Sequence, residues 1–136
     1  HAPYGTVYAV ERTEEGCGLI EKNAEKFGLN NIEIIHGNAA DVIDNLPVPD
    51  EVFIGGSGGE EEYIFNSILK KNPYVHVVVT AVTLETLQNT ISLMEKNDMS
   101  VVDIVQIAVT QVKKRGGYHM MSANNPVFII EGRRMK

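Results

Sequence analysis

The chain has 136 residues, 43% of them hydrophobic and 22% charged, so it is long and apolar enough to bury a core and is no disordered tail. A net charge of −6 and a pI near 5.2 argue against non-specific binding to nucleic acid or an anionic membrane, although Lys113, Lys114 and Arg115 form a local basic cluster. The single cysteine, Cys17, cannot form an internal disulfide. Nothing resembles a zinc ligand set, a membrane span or a basic-then-apolar signal peptide, so a reducing cytoplasm is the default compartment.

Apolar patterns alternate along the chain. Residues 6–10 (TVYAV) read as a short buried strand. Thr13 can cap a following helix with Glu14 and Glu15 in its first turn. Cys17, Ile20, Ala24 and Phe27 then recur at helical spacing, and Gly28 suits a left-handed stop. Residues 32–36 predict a second strand, and a short helical segment follows around residues 41–46. Residues 51–54 (EVFI) predict a third strand, running into Gly55-Gly56-Ser57-Gly58-Gly59. The next helix opens with Glu60, Glu61 and Glu62, closes with Lys70 and Lys71, and is stopped by Asn72-Pro73. Residues 75–80 predict a fourth strand, and Leu84, Leu87, Ile91 and Met94 make one face of another long helix.

Strands alternating with helices of this length predict a parallel sheet covered on both faces. The last third differs. Residues 101–112 are rich in β-branched side chains, Gly116-Gly117 breaks the run, and residues 127–130 (VFII) follow a loop ending at Pro126. This predicts an antiparallel strand pair at one sheet edge. The whole is an α/β, Rossmann-like outline, mostly parallel with a C-terminal antiparallel pair, expected as one domain over residues 1–136. That outline fits methyltransferases better than dinucleotide dehydrogenases.

In such sheets ligands bind at the carboxyl ends of strands. Glu11 ends the first strand, and its two oxygens match the two hydroxyls of a ribose; it could equally be a loop acid or part of a helix cap. Gly37-Asn38-Ala39 ends the second, where small residues admit a flat ring and Asn38 offers a donor and an acceptor; a plain turn is the alternative. The loop from Gly55 to Gly59 can bring backbone N–H groups against a ligand, but no Gly-Lys-Ser/Thr follows, so it is not a phosphate loop. Tyr118 and His119 could meet a substrate carboxylate, or simply pack a surface loop. His36 and His76 lie in strand-like segments and read as core or edge residues, and Cys17 as inert packing.

Three strings carry a resemblance: Phe53-Ile54-Gly55-Gly56-Ser57-Gly58-Gly59, then Thr80-Ala81-Val82-Thr83-Leu84-Glu85-Thr86, then Asn125-Pro126-Val127-Phe128-Ile129-Ile130. Together they resemble the decarboxylating precorrin-6Y methyltransferases of cobalamin biosynthesis, over roughly residues 5–130. The resemblance implies a class I, S-adenosylmethionine-dependent enzyme that methylates a corrin precursor and assists loss of carbon dioxide from an acetate side chain. It implies cofactor binding at Glu11, Arg12, Gly37, Asn38, Ala39 and Gly55. It implies tetrapyrrole binding at Gly56, Ser57, Gly58, Gly59, Tyr118 and His119, with no metal ligand and no nucleic-acid or membrane partner. It also implies a homotetramer with the C-terminal strands in the subunit contacts. No catalytic base stands out, which suits a displacement that mainly needs two reactants positioned. For a polycarboxylate substrate, Lys113, Lys114, Arg115 and the glycine-loop amides are the groups that offset the acidic net charge.

The chain departs from the family pattern at its start. Members place a strand and an acidic-x-Gly-x-Gly-x-Gly loop before the segment matching Thr6, and here nothing precedes His1. The domain is therefore expected to be N-terminally incomplete and to bind S-adenosylmethionine weakly. The strands at Thr6 and Glu51 are expected to lose a neighbour, unless they pair directly or through another molecule. Another class I methyltransferase, such as one acting on RNA, and a non-catalytic oligomerisation module are the alternative readings.

Overall fold

The computed structural model describes residues 4–56 and 58–135, and divides into two compact units, residues 1–47 and 48–136.

The first unit holds β1 (Val7–Glu11), α1 (Glu14–Phe27), β2 (Ile32–His36), α2 (Ala39–Val42) and a 3-10 turn (Ile43–Asn45). The strands pair in parallel, Val7 against Ile32 and Glu11 against His36. α1 starts where its sequence says it should: Thr13 is extended, and its hydroxyl accepts the N–H of Gly16. It ends at Gly28, whose φ of 65° is cheap only without a Cβ. No α1 residue is fully buried, and Phe27 of its expected apolar face is exposed. The short helix comes earlier than the residues 41–46 expected, because the turn begins directly after Asn38.

The second unit holds β3 (Glu51–Ile54), α3 (Glu61–Lys71), β4 (His76–Ala81), α4 (Leu84–Lys96), β5 (Ser100–Ile107), β6 (Thr110–Arg115), β7 (Tyr118–Ala123) and β8 (Val127–Arg133). Four strands form a sheet in the order β3-β4-β8-β5. β3 and β4 are parallel, while β8 runs antiparallel to both β4 and β5, so the expected antiparallel pair stands at the sheet edge. β1 pairs with β2 in the sheet of the first unit, and β3 pairs with β4 in the sheet of the second.

Burial along β4 alternates: Val77, Val79 and Ala81 are buried, while His76, Val78 and Thr80 are half-buried. The buried row joins Ile130 of β8, Met94 of α4, and the Ile64, Phe65, Ile68 and Leu69 stripe of α3 in one core. Phe53 on β3 is 68% exposed. On the half-buried row, His76 Nε2 lies 3.0 Å from a Glu131 carboxylate oxygen, and His76 Nδ1 lies 3.9 Å from Glu51.

The stretch read as a loop after Gly116-Gly117 is instead strand β7. It pairs with β6 in a separate two-stranded sheet, Arg115 opposite Tyr118. Gly116 turns the chain at a φ of 61°, as the first central residue of a two-residue hairpin requires.

Candidate functional site

In the first unit, parallel pairing brings the carboxyl ends of β1 and β2 side by side. The Gly37 N–H donates to the Glu11 carbonyl at 3.0 Å, one residue beyond the last strand pair. The His36 ring crosses the same gap, with Nε2 3.1 Å from the Arg12 carbonyl oxygen. Glu11, Arg12, Gly37, Asn38 and Ala39, far apart in sequence, thus end on one edge. Asn38 occupies the N-cap of α2 without a side-chain cap bond. The Cys17 thiol sits 3.6 Å from the Glu11 carbonyl and is partly buried.

The Glu11 side chain is fixed. Its Oε1 accepts from the Thr13 backbone N–H at 2.8 Å and from the Thr13 hydroxyl at 2.7 Å. These bonds, the hydroxyl first, hold the carboxyl below its ordinary range and keep it ionised. The geometry shows the helix-cap reading of Glu11. The carboxylate braces the start of α1, and its Oε2 takes no bond from Thr13.

In the second unit the glycine loop leaves the carboxyl end of β3. The Thr80 hydroxyl on β4 donates to the Gly55 carbonyl at 3.4 Å, tying the loop's root to the neighbouring strand end. Gly58 and Gly59 take φ of 63° and 94°, left-handed values that favour glycine, so two of the four glycines are required by the chain path itself. Gly55 and Gly56 are exposed, and Ser57 lies outside the described residues. Glu60 occupies the N-cap position of α3 without a side-chain cap bond, with Glu61 and Glu62 in the first turn. A cavity of 310 Å³, bordered by Glu62, Asn89 and Lys96, takes only Gly59 from the predicted set.

Tyr118 and His119 are exposed on β7, but consecutive strand residues point to opposite faces. Their cross-strand partners separate them further: Tyr118 lies with Arg115, and His119 with Lys114. The structure does not bring these two to one surface. Sequence reasoning missed Thr13 as a donor to Glu11, and missed Gly16; the available signal was glycine three residues after the cap, where a carboxylate is usual. Among the described residues no cluster of His, Cys, Asp and Glu could hold a metal ion, and no helix is long and apolar enough to cross a membrane.

The family model of the precorrin methyltransferase domain matches residues 1–134. A curated relative from Sulfurisphaera tokodaii, a probable cobalt-precorrin-6B C(15)-methyltransferase (decarboxylating), is 31% identical over 131 residues, which are 96% of this chain and 68% of the relative. Its counterpart from Pyrobaculum calidifontis is 34% identical over 125 residues, covering 91% of this chain and 64% of the relative. The chain thus spans about two thirds of the length of these relatives. Among solved structures, a precorrin-6y C5,15-methyltransferase from Geobacter metallireducens superposes with a TM-score of 0.83 at 34% identity, over 98% of this chain and 69% of that one. With nearly its whole length inside the family model and an α/β fold that superposes closely on a solved member, this chain belongs to the precorrin methyltransferase domain family.

Proposed function

We propose that this chain is a single S-adenosylmethionine-dependent domain that methylates a precorrin, with associated decarboxylation, in cobalamin biosynthesis. The observation that carries the reading is the joined end of β1 and β2, where Glu11 and Gly37 are linked through the backbone and Glu11 stays ionised. The Glu11 carboxylate holds the ribose diol, beside Arg12. Gly37 and Ala39 leave room for a flat adenine, and Asn38 reads its edge. S-adenosylmethionine supplies a methyl group from its sulfonium; the protein's part is to hold donor and acceptor in line.

Gly55, at the end of β3, completes the cofactor set. Gly56, Gly58 and Gly59 present backbone to the tetrapyrrole, Ser57 is assigned to the same set, and either Tyr118 or His119, on opposite faces of the hairpin, is the contact to its carboxylates. No residue is assigned as general base. The working form is a homotetramer in the cytoplasm. Support for association comes from β5 and the β6–β7 hairpin, where Val105, Ile107, Val112, Tyr118 and Met121 are exposed.

The test is calorimetric titration of the full chain with S-adenosylhomocysteine, followed by transfer of labelled methyl to a precorrin with carbon dioxide release measured. Binding that is lost in Glu11→Gln, together with methyl transfer, supports the reading. Wild-type affinity in that variant removes the ribose role of Glu11, and absence of transfer by a chain that binds the cofactor removes the enzymatic reading. Sedimentation velocity reads the oligomeric state.

A further inference from the structure

The first helix borrows part of its cap from the strand before it. In a capping box, a Thr at the N-cap takes the N–H of the third helical residue, and a Glu at that third position takes the N–H of the cap. α1 keeps the first half, since Thr13 Oγ1 accepts from Gly16 N at 3.1 Å. The third position is Gly16, which has no side chain to return. The Thr13 N–H goes instead to Glu11 Oε1 at 2.8 Å, and the Thr13 hydroxyl donates to the same oxygen.

The choice of glycine has a spatial cause. A Cβ on Gly16 would lie 2.5 Å from Glu11 Cγ, 2.6 Å from its Cδ and 2.8 Å from its Oε1. Those contacts are too short for any side chain, so the carboxyl group occupies the space that residue 16 leaves. Glycine inside a helix is destabilising, and the neighbouring Gly18 has nothing within 4 Å of its own absent Cβ. Only Gly16 is therefore explained by what fills its place.

We infer that Thr13 and Gly16 are positioning residues for the Glu11 carboxylate, pinning Oε1 so that the carboxylate is held in one orientation toward the vicinal hydroxyls of a ribose. The inference rests on the ribose role proposed for Glu11. Thr13 supplies two donors that fix the end of a long, rotatable side chain, and Gly16 supplies the vacancy that lets it lie against the helix. Freezing the acceptor before binding removes an ordering cost from the complex.

The experiment compares binding of S-adenosylhomocysteine and its 2′-deoxy analogue to the full chain, by calorimetry, in Glu11→Gln, Thr13→Val, Thr13→Ser and Gly16→Ala. Expected is a loss of about 10-fold or more for the parent ligand in Glu11→Gln, Thr13→Val and Gly16→Ala, the scale of one hydrogen bond to a charged group. Thr13→Ser restores binding, the analogue is far less affected, and Gly16→Ala adds nothing once Glu11 is Gln. If Glu11→Gln weakens binding while Thr13→Val and Gly16→Ala match wild type, the positioning role is overturned and the ribose role stands. If Thr13→Val and Gly16→Ala weaken both ligands equally, the pair only caps the helix, and the inference is overturned. Wild-type binding by Glu11→Gln overturns the ribose role and the inference with it. Should Gly16→Ala fail to fold by circular dichroism, Thr13→Val decides, because it adds no bulk against the carboxyl.

Discussion

A Cβ added to Gly132 on β8 would lie 2.5 Å from the Met94 sulfur on α4 and 2.8 Å from its methyl. Met94 is fully buried, so its flexible end has little room to swing away. Gly132→Ala is expected to destabilise the second unit by about 1–3 kcal/mol from overpacking, less up to about 1 kcal/mol regained from a stiffer unfolded chain. Met94→Ala alone leaves a cavity, and the double variant should be more stable than the sum of the two losses. Urea unfolding measures all three. A Gly132→Ala midpoint at or above wild type would show that α4 and β8 do not pack this tightly.

Phe65 on α3 is fully buried, whereas Tyr118 on β7 is 78% exposed. Phe65→Ala should cost about 3–5 kcal/mol through lost transfer energy and a residual cavity. Tyr118→Ala should change stability by no more than about 0.5 kcal/mol. Comparable losses at the two sites would mean that the hairpin carries a core of its own.

Glu62 on α3 pairs with Lys96 on α4, and the hydrogen bond from Lys96, ahead of its charge, lowers the Glu62 pKa. A carboxyl lowered in the folded state contributes stability above its unfolded pKa, and loses it as pH falls through the folded value. In a carboxyl-carbon NMR titration, Lys96→Met should move the Glu62 midpoint upward, toward the ordinary 4.5. High salt should move it the same way. Both side chains are largely exposed, so the melting temperature at neutral pH should hardly change. A Glu62 midpoint unaffected by Lys96→Met would remove the pair.

Gly116 has a φ of 61°, while Gly117 has no positive φ. Only the first should resist substitution. Gly116→Ala should weaken the β6–β7 hairpin by about 1–2 kcal/mol, the cost of a left-handed non-glycine residue. Gly117→Ala should be nearly neutral. Amide exchange across Arg115 and Tyr118 reads the hairpin directly, because a two-stranded ribbon is marginal by itself. Equal protection in the two variants would contradict this turn.

The parallel elements were legible because local chemistry and the final fold agree there. Thr13 and Gly28 bound α1 as their residue types demand, and residues 32–36 and 51–54 form strands as read. β7 was not legible. Tyr118–Ala123 has neither β-branched enrichment nor alternation, because five of its six residues are exposed and neither face is selected by a core. Its pairing follows from the turn at Gly116, and the two glycines were read as a break rather than as a hairpin signal. For the candidate site, the rule of carboxyl strand ends found Glu11 and Asn38 together. The link among Glu11, Thr13 and Gly16 depends on a side chain folding back onto a helix start, which strand and helix periodicity does not encode.

The hairpin separates two basic surfaces that sequence alone merges. Alternation puts Lys113 and Arg115 on the face of Tyr118 and Met120, and Lys114 on the face of His119 and Met121. If the proposed polycarboxylate tetrapyrrole meets one face, charge reversal should distinguish them. The Lys113→Glu, Arg115→Glu double variant removes two cations from the Tyr118 face, whereas Lys114→Glu removes one from the His119 face. The double variant is expected to raise the KM for the tetrapyrrole about tenfold or more, with a reduced salt dependence, and to leave S-adenosylhomocysteine affinity unchanged. Lys114→Glu should have the smaller effect, because a single exposed cation contributes little. All three positions are exposed strand residues, so the folded fraction should match wild type by circular dichroism. Equal KM in both variants and wild type would take the hairpin out of substrate recognition. A larger effect from Lys114→Glu would move the contact from Tyr118 to His119.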